Sequence, residues 1–408
     1  MAGRRESDGT GRRAKTVVHL VPAMEQGGVE RVVCDLNRAL VRAGWRSVVV
    51  SRGGRLVRQI VVDGGEHVAL DLKSKNPLTY LSRAWKLRRV IQGIGGLGLE
   101  GRRDGSDGGG DSDARLVVCA HSRVPAWLCV GARKIDSWLQ RLPWSSSASS
   151  VVKNSPFLTY AHGANTVSRY SAVMTRGDRV VVPSKFLKGF LIENYADADE
   201  GLPASKILND RIRVIYPAVD LARFDPAKVE AATVAALRRE WGVRDGEHVV
   251  MSIGRITALK GFDGVIRTFA ANAAGRLVIV GGVEKGKESL LVSLRQLASD
   301  FGVADRVVFA GARDCIPECL AIADEVVSGN VTKPESFGLS VAEALAMNKK
   351  VRLLKKFGGA GEILEKVEKW KSGKVEKCEE TREAIRAMCD LSVMAKKTIE
   401  VYDECLRG

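Results

Sequence analysis

The sequence predicts an α/β protein made of two doubly wound domains, each a parallel sheet layered by helices. Three observations point there. Short apolar runs alternate with helical patterns along nearly the whole chain, which is how parallel βαβ units read. The alternation comes as two series that meet near Asp220–Pro226. The 408 residues favour two domains, with three allowed, at about 100–200 residues each.

The first series opens with an apolar run at Thr16–Leu20, a Gly27-Gly28 loop and a helical period over Val29–Ala43. Ser47–Ser51 and Val68–Leu72 are the next strand-like runs. Pro77, suited to the first turn of a helix, opens an amphipathic helix to about Ile91. Leu116–Ala120, Phe157–Tyr160, Arg179–Pro183 and Arg211–Ile215 follow as strands, with Lys185–Tyr195 helical before the last. The second series reads as helix Val229–Trp241, strand Val249–Ile253, helix Phe262–Ala273, strand Leu277–Val280 and helix Glu288–Phe301. It continues with strand Val307–Ala310, helix Ile316–Ala323, strand Val326–Ser328, helix Leu339–Met347 and strand Val351–Leu354. From Lys349 to Leu406 the chain is rich in lysine and mostly helical.

These elements divide the chain into a basic disordered arm (1–15), a first domain (16–222), a second domain (223–390) and a C-terminal helix (391–408) with the first domain as a surface it can pack on. Gly/Asp/Ser-rich and Ser-rich stretches predict flexible insertions near 97–114 and 143–155, without chemistry of their own. Doubly wound domains bind ligands outside the carboxyl ends of their strands. Two of them are therefore expected to hold a ligand in a cleft.

Composition narrows the function. A 45% hydrophobic and 27% charged chain excludes collagen, wholesale disorder and a disulfide-stapled miniature. No run approaches the roughly 18 apolar residues of a membrane span. Met1–Lys15 is basic and polar, unlike a secretory signal, and the eight cysteines show no CxxC. Reduced thiols and a cytoplasmic location follow as expectations. The 64 Lys+Arg against 48 Asp+Glu leave a net charge of +16, which favours phosphate-bearing partners such as nucleotides or an anionic membrane surface. Nucleic acid is disfavoured, with 6% aromatics and no recognition motif. Gly93-x-Gly95-x-x-Gly98 matches the dinucleotide fingerprint by letters alone. A helix precedes it where the fingerprint needs a strand.

Four segments can carry chemistry. Glu335-Ser336-Phe337-Gly338-Leu339 runs into a helix carrying Glu343. Backbone N–H groups at that helix start suit an anion, and two carboxylates eight residues apart can accept from sugar and ribose hydroxyls. The alternatives are a solvent-facing Glu335 and a structural salt bridge for Glu343. Gly254-Arg255-x4-Lys260-Gly261 follows the strand that opens the second series, where a guanidinium and an ammonium fit a diphosphate. Gly27-Gly28 lets backbone approach a ligand. His162-Gly163 ends a strand, and a hydrogen-bonded structural histidine is the plainer alternative there. No zinc spacing, Walker A lysine motif or Ser/His/Asp order is present.

Taken in order, Gly27-Gly28-Val29-Glu30-Arg31, His162-Gly163, Gly254-Arg255-x4-Lys260-Gly261 and Glu335-x7-Glu343 resemble the family 4 retaining glycosyltransferases (glycosyl transferases group 1) of the GT-B fold. So do Val214–Asp220 with Phe224, Val278–Gly282, Arg306–Gly311 and Gly358-Gly359-x2-Glu362. His121–Trp127 and Ser171–Arg176 are similar to bacterial members associated with cell-envelope or lipopolysaccharide sugars. The resemblance spans about residues 16–365. It implies two Rossmann-like domains and transfer of a sugar from a nucleotide diphosphate donor to a cell-envelope glycan or lipid-linked acceptor, with no cofactor and no bound metal. Arg255 and Lys260 would take the diphosphate, Glu343 the ribose, and Glu335, Ser336 and the Phe337–Leu339 backbone the sugar. Gly27-Gly28 would border the donor, His162 would contact the sugar, and Cys315-Ile316 would receive the base. Asn348-Lys349-Lys350 departs from the family's Gly-x-Pro turn, and Lys369–Lys377 replaces a Gly-rich loop. Both leave open a catalytically silent relative serving as a binding or assembly subunit.

The Pro77–Ile91 segment adds a membrane expectation. On a helical wheel Leu78, Tyr80, Leu81, Ala84, Trp85 and Leu87 cover one side, with Arg83, Lys86 and Arg89 on the other. That division suits a helix lying on an anionic membrane's cytoplasmic face. Packing of the apolar side on the first sheet is the alternative.

Overall fold

A computed structural model describes residues 15–25, 27–95, 115–141, 151–196, 204–272, 274–283, 286–330, 334–372 and 379–407. The basic arm before Lys15, the Gly/Asp/Ser-rich stretch and the Ser-rich stretch at 144–150 lie outside them, as does most of Lys369–Lys377.

The described chain forms two compact units. The first takes the chain up to Pro183, Lys188–Ile215 and the C-terminus from Met394; the second takes Ser184–Leu187 and Tyr216–Val393. In the first, β1 (Thr16–Leu20), α1 (Gly28–Arg42), β2 (Arg46–Ser51), α2 (Val57–Val62) and β3 (Glu66–Ala69) lead into α3 (Tyr80–Ile94). Then come β4 (Leu116–Ala120), α4 (Arg123–Leu139), α5 (Val151–Asn154), β5 (Phe157–Tyr160) and β6 (Arg179–Val182). α6 (Lys185–Tyr195), α7 (Ala204–Arg211) and β7 (Ile212–Val214) follow. Seven parallel strands lie in the order β3-β2-β1-β4-β5-β6-β7. Val18 pairs with Val48 on one side and Val118 on the other. β1 and β4 are buried along their whole length, as parallel strands covered on both faces must be.

The second unit runs α8 (Ala231–Glu240), β8 (Val249–Ile253), α9 (Phe262–Asn272), β9 (Arg276–Val280), α10 (Glu288–Asp300), β10 (Val307–Gly311), α11 (Ile316–Ile322) and β11 (Glu325–Ser328). It closes with α12 (Leu339–Ala346), β12 (Lys350–Leu353), α13 (Gly358–Ser372) and α14 (Glu379–Cys389). Its parallel sheet has the order β10-β9-β8-β11-β12. Val250, Phe262, Ile266, Phe269, Leu277 and Ile279 form its core with Leu294 and Val327. The last helix, α15 (Leu391–Arg407), returns to the first unit. Both sheets reverse strand order once, between β1 and β4 and between β8 and β11, and the loops leaving those strands line each crevice.

The differences from expectation have local causes. β3 starts two residues early because its register is set by β2, with Val48 facing Glu66, and an edge strand carries little apolar pattern. α2 has six residues, too few for a helical period to register. α4 lies in a stretch where no element is expected from the sequence, and Pro125 stands in its first turn, where the missing N–H costs nothing. The insertion expected to reach residue 155 stops short, since Val151 and Val152 of α5 are buried.

The expected wheel on α3 is wrong. Ala84, Leu87 and Ile91 face inward, and so does Arg83, which is 8% exposed. Its guanidinium donates to the Ser74 carbonyl at 2.5 Å, the Asn76 carbonyl at 3.0 Å and Thr79 Oγ1 at 3.1 Å. Leu78, Leu81 and Trp85 point outward at 92%, 68% and 41% exposure. A helix can bury an arginine when each guanidinium nitrogen finds an oxygen acceptor, here the Ser74 and Asn76 carbonyls and Thr79, which residue type alone does not reveal.

Candidate functional site

In the second sheet's crevice, the loops after β8 and β11 lie side by side. Gly261 has φ +61°, and a Cβ there would stand 2.0 Å from the Gly329 carbonyl oxygen. Only glycine lets the two loops touch this closely. Lys260, one residue earlier, turns its ammonium onto Glu335, whose Oε1 it bonds. The sequence-predicted cation and carboxylate are thus a single half-buried ion pair. Glu335 Oε2 is buried with no hydrogen-bond partner among the described residues.

Gly338, at φ +89°, turns the chain into α12. A Cβ on it would meet the Ala360 Cβ at 2.7 Å and Glu335 Oε2 at 3.3 Å. The N–H groups of Phe337, Gly338 and Leu339 make no hydrogen bond among the described residues, as expected at a helix start. Donors and an acceptor therefore meet in one place, the combination that a hydroxyl, both donor and acceptor, can satisfy. Bracing comes from Ser184, and from Tyr216 and Glu362 of the Val214–Asp220 and Gly358-Gly359-x2-Glu362 motifs. Ser184 Oγ donates to the Ser336 carbonyl at 2.5 Å. Phe337 packs on Tyr216, ring centroids 5.9 Å apart. The Tyr216 hydroxyl donates to Glu362, whose other oxygen accepts the Phe186 N–H at 3.2 Å. Burial, then the Glu362 carboxylate, pushes the Tyr216 hydroxyl's pKa far up. Tyr216 and Glu362 stand 146 residues apart, and no local pattern joins them.

Arg255 stands exposed on the same loop as Lys260. Glu343 is half-buried on α12 and has a partner of its own. Cys315, half-buried, precedes α11, and its carbonyl accepts from Cys319 at 3.0 Å. With Ile316 it sits two strands further along the same sheet edge, and no hydrogen bond ties it to the Lys260–Glu335 pair among the described residues.

The turn after α12 explains the Asn348 departure. Asn348 adopts φ +57°. Its N–H donates to the Leu345 carbonyl at 3.0 Å, and the Lys349 N–H donates to the Ala344 carbonyl at 2.9 Å. This is a Schellman cap with asparagine in the left-handed position usually held by glycine. The turn is intact despite the change of residue.

In the first unit, Gly27 accepts the Arg31 N–H at 3.1 Å as α1 begins, and a Cβ on Gly28 would meet nothing within 4 Å. His162 follows β5 and keeps partial exposure. Its Nε2 bonds His121 Nδ1 at 3.0 Å, and His121 Nε2 bonds His19 Nδ1 at 3.0 Å. Burial lowers the pKa of His162 and of His19 from 6.5 to about 3, and that of His121 well below 6.5. His19, Cys119 and His121 also hold their ligand-type atoms within 4.8 Å of one another, the one such group among the described residues. Beyond it, the His121–Trp127 and Ser171–Arg176 segments form one cluster. Arg123 lies over Tyr170, Tyr170 stacks on Trp127, and Arg176 lies over Trp127.

Residues 26–223 match the family described as Glycosyltransferase Family 4, and residues 234–400 match Glycosyl transferases group 1. D-inositol 3-phosphate glycosyltransferase of Mycobacteroides abscessus is 33% identical over 176 residues, 43% of this chain and 36% of that one. The chain spans well under half the length of the first curated relatives it matches. A glycosyltransferase of Rickettsia africae superposes with a TM-score of 0.73 at 23% identity, over 97% of this chain and all of the other. Anabaena HepE in complex with UDP and glucose gives 0.68 at 17% identity, over 95% and 99%. The two family matches leave out little more than the chain's ends and a ten-residue joint, the structural likeness runs end to end, and the chain belongs to glycosyltransferase family 4, with the GT-B fold.

Proposed function

We propose that the protein is a retaining glycosyltransferase that takes a sugar from a nucleotide diphosphate donor. The observation that carries the reading is Glu335 Oε2, a buried carboxylate oxygen that has no partner among the described residues, beside three N–H groups at the start of α12 that make no hydrogen bond among them either. An unpaired buried carboxylate oxygen is costly, and a sugar hydroxyl would satisfy it. On donor binding, Lys260 and Arg255 would take the diphosphate charge as the leaving group departs, in place of a metal ion. Glu343 would accept from the ribose hydroxyls, and the Cys315-Ile316 backbone would border the base. His162 would donate to the sugar, with Gly27-Gly28 giving backbone access. No residue is assigned as nucleophile.

The acceptor we favour is a cell-envelope glycan or a lipid-linked sugar. Support comes from the Arg123–Tyr170–Trp127–Arg176 cluster and from likeness to WaaG, named as a glycosyltransferase involved in lipopolysaccharide biosynthesis, with a TM-score of 0.55. The relatives' names point instead to an inositol phosphate, a second phosphate-compatible acceptor. A catalytically silent relative loses one of its grounds, because the Asn348 cap forms a regular turn.

Thermal unfolding against a panel of nucleotides and nucleotide sugars, with a chelator present throughout, tests the reading. A donor at about 100-fold above its Kd adds roughly 2.7 kcal/mol and raises Tm by several degrees. No shift with any nucleoside diphosphate sugar would remove donor binding. A shift that appears only when the chelator is replaced by Mg²⁺ or Mn²⁺ would remove metal independence.

A further inference from the structure

Three of the chain's five histidines form one line, from the core to the crevice of the first sheet. His19 is fully buried on β1, His121 is 2% exposed just after β4, and His162 is partly exposed just after β5. The rings of His121 and His162 are 24° apart with centroids at 5.2 Å, nearly edge to edge in one plane, the orientation an N–H···N bond needs. The Tyr160 ring stacks on both, 4° from His162 and 20° from His121. It holds the two imidazoles in register. At the inner end, His19 Nε2 has no partner among the described residues. At the outer end, His162 Nδ1 has none among the described residues.

A neutral imidazole has one donor and one acceptor, so two N···N contacts leave the three rings only two concerted states. In one, every ring carries its proton on Nε2. His162 then donates inward, its bare Nδ1 faces the crevice, and the last N–H, on His19, is stranded in the core. In the other, every ring carries its proton on Nδ1. His19 donates to His121, His121 donates to His162, and only a lone pair is left unpaired inside. Buried N–H groups left without an acceptor are rarer in folded proteins than buried acceptors left with a free lone pair. The geometry points to the second state: His19 and His121 are positioning residues that hold His162 as the neutral Nδ1–H tautomer, a hydrogen-bond donor toward a ligand oxygen and not a base.

The chemical consequence is specific. The lone pair of His162 is committed to His121, so this ring cannot take a proton from an acceptor hydroxyl. It can only donate to an oxygen of the ligand, such as a sugar hydroxyl. Burial works in the same direction, since it disfavours the doubly protonated ring at all three positions. This deepens the proposed reading of His162 as a sugar contact and rests on it, while the tautomer itself is measurable without any substrate.

The experiment is a long-range ¹H–¹⁵N correlation on the full chain labelled with ¹⁵N-histidine, assigned by single His→Asn variants. At pH 7, His162 should show one protonated nitrogen, Nδ1, and one bare acceptor, Nε2, with the pattern unchanged down to pH 5. A protonated Nε2, or a tautomer mixture, overturns the proposal. His19→Leu removes the donor at the head of the line and should shift His162 toward the mixture; an unchanged His162 in a folded variant also overturns it. His19→Asn, which restores an amide donor near the Nδ1 position, should bring back the single pattern. Failure of donor binding with an Nδ1–H His162 would count against the sugar-transfer reading and leave the tautomer standing.

Discussion

Lys260 and Glu335 show how a side chain's role depends on what stands opposite it. Each neutralises the other, so removing one leaves the partner half-buried and alone. Lys260→Ala should weaken donor binding by about 2–5 kcal/mol if phosphate contact is desolvated. Glu335→Gln should cut turnover by roughly 10²-fold through lost orientation of the sugar. Steady-state kinetics and a melting curve on the same preparations decide it. Normal turnover with a lowered Tm in both variants would make the pair a structural ion pair and nothing more. The histidines carry a second expectation. Their folded pKa values lie below the unfolded 6.5, near 3 for His19 and His162. Below pH 6.5 the unfolded chain binds more protons, so the stability due to neutral burial is complete above 6.5 and is lost as pH falls toward 3. The loss should be on the order of 1 kcal/mol per pH unit per histidine. Urea unfolding at pH 7.5 and pH 5 measures it, and equal unfolding free energies would contradict the burial.

Helix α3 is organised by its partner and not by its own wheel. Tyr80 donates to the Trp127 carbonyl at 2.7 Å, and Arg88 pairs with the buried Asp136 at 2.7 Å, both across to α4. Those contacts, with inward Ala84, Leu87 and Ile91, fix its rotation and leave Leu78, Leu81 and Trp85 on the outside among exposed Lys73, Lys75, Lys86 and Arg89. An apolar stripe rimmed by cations suits the boundary of an anionic bilayer. Membrane contact would therefore rest on Leu78, Leu81, Trp85, Lys86 and Arg89 of the expected wheel, without the buried Arg83, Ala84 and Leu87. Vesicles containing anionic lipid should sediment the protein at low salt and release it as salt rises. The triple change of Leu78, Leu81 and Trp85 to Ser should reduce binding at least as much as Lys86→Gln with Arg89→Gln. No binding to anionic vesicles at low salt would end the idea.

The first unit is assembled from both ends of the sequence. α15 buries Met394, Thr398, Val401 and Tyr402. The Tyr402 ring lies 5.7 Å from Trp45, Glu404 pairs with Arg179 and Arg213, and Asp403 pairs with Lys15. Three large apolar side chains at about 1.5–3 kcal/mol each amount to a sizeable part of a domain's net stability of about 5–15 kcal/mol. A chain ending at Asp390 should therefore lose protection of residues 15–215 against protease, while Glu404→Gln should cost only about 1 kcal/mol. Digestion kinetics equal to those of the full chain would show α15 to be dispensable.

The parallel α/β class and most element positions are legible in local pattern alone, because buried parallel strands are short continuous apolar runs and their helices keep a 3.6-residue period. β1, β4, β5 and β8 fall on their expected residues, and the glycines of the predicted loops already marked where backbones meet. The rotation of α3 was hidden because an arginine's burial depends on carbonyls supplied by Ser74 and Asn76. Within the candidate site, residue types and spacing located Lys260, Glu335 and the Gly338 helix start. Only the tertiary structure made Lys260 and Glu335 partners, left Glu335 Oε2 unsatisfied, set Tyr216 and Glu362 behind the loop, and lined up His19, His121 and His162. Each of these is a contact between segments far apart in the chain. Periodicity groups side chains by face, but contacts with distant segments decide how that face is turned and what it meets.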